Sequence, residues 1–122
     1  MNRVILNAIF PGDPVAWERL NPRGFKPKKT RQAQARLRTQ LAQIAPGLEP
    51  NDRARFGVQL TFRTTSARKD GDNCEKLILD AFNKTIWQDD SQIDKCQWEM
   101  VRILAGEENT HLIVYVIERG ET

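Results

Sequence analysis

Soft metal ligands are scarce in this chain: its 122 residues include one histidine, His111, and two cysteines, Cys74 and Cys96. The three lack the paired spacing of a zinc site, which argues against one. Two thiols without a short-range partner fit a reduced, intracellular protein in which both serve as small buried hydrophobes. His111 lies in an alternating apolar stretch, far in sequence from any nucleophile, and reads as structural. No apolar run approaches the ~20 residues that a membrane helix needs. The first ten residues alternate without a cleavage pattern, so they read as a strand and not as a signal. Nor is there a repeat or an internal boundary, and residues 1–122 are expected to form a single domain. An apolar fraction of 39% with 29% charged residues excludes a disordered chain.

Charge is plentiful and unevenly placed. Nineteen basic against sixteen acidic residues leave a net charge of only +3. However, Arg19, Arg23, Lys26, Lys28, Lys29, Arg31, Arg36 and Arg38 fall in one stretch whose only acid is Glu18, whereas Glu107, Glu108, Glu118 and Glu121 crowd the C-terminal end. That asymmetry predicts a face for a polyanion.

Periodicity predicts a strand over Val4 to Phe10, ended by Pro11-Gly12-Asp13-Pro14. A long loop follows to about Lys29, carrying Pro22, Gly24 and Pro27, and structureless connections of that length tend to be functional. Thr30 is the expected cap of a helix with Ala33, Leu37, Leu41 and Ile44 at helical spacing. Phe56 to Arg63 reads as a half-buried strand. Cys74, Leu77, Ile78, Ala81 and Phe82 form the apolar stripe of a second helix. A strand from about Ile93 to Leu104, a hairpin connection over Gly106 to Thr110 and a strand over His111 to Glu118 complete the chain. The expected fold is α+β: a mixed four-stranded sheet with two main helices in the order β-α-β-α-β-β.

Against the basic background stand two acidic segments, Lys69-Asp70-Gly71-Asp72-Asn73 and Asp89-Asp90-Ser91-Gln92. Clustered acids repel one another and repel DNA unless a cation lies between them. A Mg²⁺-dependent phosphodiesterase has that need, since hard oxygen ligands hold the ion and the ion neutralises phosphate. Asp70 and Asp72, two apart near a strand end, are expected to point the same way beside a helix N-terminus, with Gly71 allowing a tight backbone between them. Asp90 joins them if the fold brings the following strand beside the preceding one. A calcium loop is excluded, because Glu75 and Ala81 occupy the positions that require glycine and glutamate. Helix capping and a polar turn are the ordinary alternatives for these acids.

The block from Lys69 to Lys76, the triplet Asp80-Ala81-Phe82 and the run Trp87-Gln88-Asp89-Asp90-Ser91-Gln92 resemble the RusA family of Holliday junction resolvases, with its D-x-D-N-x-x-K block and D-D-x-Q turn. Gly12 to Arg19 and Phe25 to Thr30 are similar to that family's N-terminal segments. Cys74 departs from the leucine usual after D-N, at a packing position. The resemblance implies a homodimeric endodeoxyribonuclease, cytoplasmic and of bacterial, phage or prophage origin, that nicks four-way junctions symmetrically in recombination and repair. It implies Asp70, Asp72 and Asp90 as ligands for Mg²⁺, with Mn²⁺ as a substitute, Lys76 as the essential basic residue and Asp89 as an accessory. Phosphate contacts are expected from Arg19, Arg23, Lys26, Lys28, Lys29, Arg31 and Lys69, with Trp17 and Phe25 available to stack at the crossover. Two alternatives stay open on the residues alone: a nuclease of flaps or other branched DNA, and a catalytically silent DNA-binding protein.

Overall fold

Alternating burial builds the sheet. In the computed structural model, which describes residues 2–66 and 68–118, Leu6, Ala8 and Phe10 are buried on the first strand. Phe56, Val58, Leu60 and Phe62 are buried on the second, and Leu112 and Val114 on the last. The elements run β1 (Asn2–Pro11), α1 (Lys28–Ile44), β2 (Phe56–Thr64), α2 (Gly71–Ala81), a single 3₁₀ turn (Asp90–Gln92), β3 (Ile93–Arg102) and β4 (Asn109–Ile117). The α+β class and the β-α-β-α-β-β order are as expected. Glu121 lies outside the described residues.

The sheet order is β1-β4-β2-β3, with β4 antiparallel to both β1 and β2 and with β3 parallel to β2. Leu37 and Leu41 of α1 join Cys74, Leu77, Ile78 and Ala81 of α2 in one core with the inward strand residues. Phe10 meets Phe82 at 5.6 Å and Phe56 meets Trp87 at 6.0 Å between ring centroids, which ties the C-terminal end of α2 and the segment after it to the sheet. No helix among the described residues is long and apolar enough to cross a membrane.

Three local expectations need correction. Thr30 does not cap α1: the cap position is Pro27, without a side-chain bond, and Thr30 is fully buried inside the helix. Proline suits that place because its fixed φ matches a helix entry. Ile44 leaves the apolar stripe and is largely exposed, so the packed face of α1 ends at Leu41. Finally, β3 and β4 are not a hairpin. The Ile103 N–H donates to Thr64 O as the chain crosses the end of β2, and β4 then enters between β1 and β2. The reason lies in burial. Strand β4 alternates with a buried inner row of Thr110, Leu112 and Val114 and suits the sheet centre, whereas β3 has mostly exposed side chains and suits an edge.

Candidate active site

Helix α2 organises the site, beginning with its cap. Asp70 is the N-cap of α2, and its carboxylate accepts from the backbone N–H of Asn73 at 3.2 Å and from the Asn73 side-chain amide at 2.8 Å. Asp72 is in the first turn. The two acids therefore do not share the face of a strand, as their spacing had suggested. They share a helix N-terminus, where unpaired backbone N–H groups favour negative charge. Gly71 is needed for space and not for a tight turn: a Cβ there would lie 2.3 Å from the Trp98 ring of β3.

The long N-terminal loop is fastened along this helix. Lys69 pairs with Asp13 and donates to Pro14 O at 2.6 Å. The Trp17 backbone N–H donates to Asn73 O at 2.9 Å, and the Lys76 ammonium lies over the Trp17 ring at 3.6 Å. At the far end, Lys26 pairs with Asp80 at 2.6 Å and donates to Gln34 Oε1 at 2.9 Å. The Gln34 amide donates in turn to Asp80 and to Leu77 O. Burial works against ionisation of Asp80, but the hydrogen bonds from Lys26 and Gln34 and the nearby cations outweigh it and hold the carboxyl below its usual range. Asp13 behaves likewise: burial raises it, and the bonds from Lys69 and Thr64 lower it further still. Sequence reasoning missed this network. Its only trace was Gln34, a polar residue on the apolar stripe of α1.

The second acidic segment splits its two aspartates between structure and solvent. Asp89 caps the 3₁₀ turn by accepting from the Ser91 N–H, while the buried Gln92 accepts from Gln88 and Asp89 N–H and donates to Asn51 O and Ala54 O. Asp89 is thus committed to the turn. The Asp90 side chain has no hydrogen-bond or ion-pair partner among the described residues. It faces a cleft of ≈ 320 Å³ shared with Trp17, Leu20, Lys26, Glu75, Lys76 and Asp80. Glu75 was not foreseen as a member of this cleft. Burial pushes its carboxyl upward, a bond with Cys96 opposes that, and the charge of Asp72 adds to it.

The expected convergence of Asp70, Asp72 and Asp90 on one point does not occur within the chain. Among the described residues no three Asp, Glu, His or Cys side chains stand close enough to hold one ion. The topology explains this. Strand β3 does lie beside β2, but parallel to it, with Phe56 opposite Ile93. Asp90 therefore arrives at the end where β2 begins, whereas Asp70 follows the end where β2 finishes. Asp70 caps the N-terminus of the 11-residue α2, whereas Asp90 faces its later turns, at Glu75, Lys76, Leu79 and Asp80.

Of the cations expected to meet phosphate, Lys26 and Lys69 are matched by carboxylates of the same chain. Arg19, Arg23, Lys28, Lys29 and Arg31 are exposed. The two thiols have no reactive character, since burial pushes Cys74 up to about 11 and Cys96 to about 12. His111 bonds Asn7 at 2.6 Å on the sheet face away from the helices.

A family model described as Endodeoxyribonuclease RusA matches residues 11–116 of the chain. No curated protein matches it.

Proposed function

Since this chain belongs to the RusA endodeoxyribonuclease family, we propose that it is a Mg²⁺-dependent enzyme that resolves four-way DNA junctions by paired, symmetric nicks in recombination and repair. The observation that carries this reading is the cleft at α2. Asp90 and Lys76 open onto it, neither in an ion pair among the described residues, directly beside the exposed cations of the N-terminal loop. A protein that only bound DNA would gain nothing from exposed acids at that place.

Asp70, Asp72 and Asp90 offer hard oxygen donors at exposed positions, the donor type that Mg²⁺ and Mn²⁺ take. Magnesium usually keeps several waters and uses one or two carboxylates together with substrate phosphates, so a closed protein cage is not required. When bound, the ion supplies Lewis-acid charge at the scissile phosphate and lowers the pKa of a water for in-line attack. Lys76 places its ammonium toward phosphoryl oxygens, and its seat on the Trp17 ring keeps it from collapsing onto Asp72 or Asp80. Arg19, Arg23, Lys28, Lys29 and Arg31 hold the backbone of the arms.

Two simultaneous cuts need two equivalent sites, which a two-fold homodimer supplies. The dimer also answers the separation along α2: Asp70 and Asp72 of one copy can be completed by Asp90 of the other. The setting is the cytoplasm of a bacterium or of a phage-infected cell. The test is cleavage of synthetic four-way junctions, flaps and plain duplex across a Mg²⁺ titration. The expected result is paired nicks on junctions that vanish with EDTA and in Asp72→Asn, with junction binding retained. Full activity of Asp72→Asn at saturating Mg²⁺ would refute the assignment.

A further inference from the structure

We propose that Phe25 is the residue that stacks on an unpaired base at the branch point, so that the tip of the N-terminal loop reads junction structure as well as phosphate. The proposal rests on the junction reading above. Sequence alone offered two aromatic candidates, and the structure separates them. Trp17 is half-buried against the core with its ring under Lys76. Phe25 is 65% exposed, and its neighbour Leu20 is 51% exposed.

Exposure by itself identifies nothing, and three further observations do. The tip is built and not merely loose. The Asn21 side-chain oxygen accepts from the N–H groups of Arg23 at 2.9 Å and Phe25 at 3.1 Å. The Asn21 N–H donates to Phe25 O, and the Gly24 N–H to Asn21 O, both at 2.8 Å. Gly24 takes φ +81° to close the turn, a conformation that glycine adopts without penalty. The next residue, Lys26, is anchored to Asp80. Phe25 is therefore held outward by backbone bonds on both sides, with little ordering left to lose on contact.

The second observation is charge. Phe25 and Leu20 sit in a groove of ≈ 730 Å³ rimmed by Arg23, Lys28 and Arg31. An apolar face inside a cationic rim complements a base flanked by phosphates. Leu104 supplies the contrast: it is 79% exposed, but its turn carries Glu107 and Glu108, which repel a nucleic-acid backbone. The third is continuity. This groove and the Asp90 cleft share Leu20 and Lys26 as walls, so a strand lying in one runs into the other. Stacked duplex offers no free base face at its middle, whereas a branch point does.

The test uses the full chain in EDTA, so that DNA stays intact, with 2-aminopurine next to the branch point of a four-way junction. Wild-type protein should raise the fluorescence as the reporter unstacks from its neighbours. Phe25→Ala should lose that rise and bind the junction about tenfold more weakly, with duplex affinity unchanged. Phe25→Trp should retain both properties, which separates stacking from a folding defect. Phe25→Ala with wild-type fluorescence and affinity overturns the inference, as does an equal loss on junction and duplex. If wild-type protein neither prefers nor cleaves junctions, the functional reading itself has failed; if it does both while Phe25→Ala is indistinguishable, only this inference has.

Discussion

Mixing two inactive variants should restore cleavage. The perturbation is a pair of substitutions, Asp72→Asn in one chain and Asp90→Asn in another. Each homodimer should lose at least about a hundredfold in rate, since losing one ligand of a catalytic metal removes several kcal/mol of charge stabilisation. The parallel pairing of β2 with β3 separates the two acids, with Asp72 in the first turn of α2 and Asp90 against its later turns, and in the proposed dimer a complete site draws on both copies. In a mixed dimer one site then receives both substitutions and the other receives neither. Random exchange of equal amounts makes half the dimers mixed, each with one intact site of two, so the mixture should recover roughly a quarter of the wild-type sites. The product should be singly nicked junction and not resolved duplex, because the second cut has no site. Two affinity tags and a denaturing gel suffice to isolate the mixed species and count nicks. A reciprocal control sharpens the test: wild-type chain paired with an Asp72→Asn, Asp90→Asn double variant should be inactive at both sites. Activity in that control, with none in the first mixture, would show a site held within one chain and would refute the reasoning.

Two further outcomes follow from the loop. Lys28→Ala should flatten the slope of log affinity against log salt by about one unit, whereas Lys26→Ala should change it far less, because Asp80 already matches that charge; equal changes from both, measured by fluorescence anisotropy over a salt series, would contradict the pairing. Asp80→Asn should alter acid stability with a defined sign. The folded carboxyl titrates below its unfolded value of about 3.9, so its stabilisation is complete above about pH 5 and is lost as pH falls through the folded value. Thermal melts should show the variant less stable than wild type near neutrality and the gap closing toward acid pH, and a constant gap would count against it.

Much of the fold was readable because it is local. Inner-row alternation on β2, the stripe from Cys74 to Phe82 and the turn at Asp89 each depend on residues a few positions apart, and each is found where its pattern lies. Boundaries that hinge on competing caps were less readable. Thr30 has the chemistry of a cap but is drawn into the core, and Pro27 opens the helix. The acids at 70 and 72 were visible as a pair, but their spacing fitted a strand end as well as a helix start. Only the capping bonds from Asn73 decide between them.

The sequence by itself determined which residue types are at hand: exposed carboxylates in two segments, a cation-rich loop, and the alternations that make four strands and two helices. Tertiary structure alone decided their relations. It set β3 parallel to β2, passed β4 to the other side, spent Asp89 on a turn, and matched Lys26 with an acid 54 positions away. The physical reason is that periodicity and capping are energies between near neighbours. Strand direction and ion pairing are settled only by how the whole chain buries its apolar rows, and no short window of residues carries that choice.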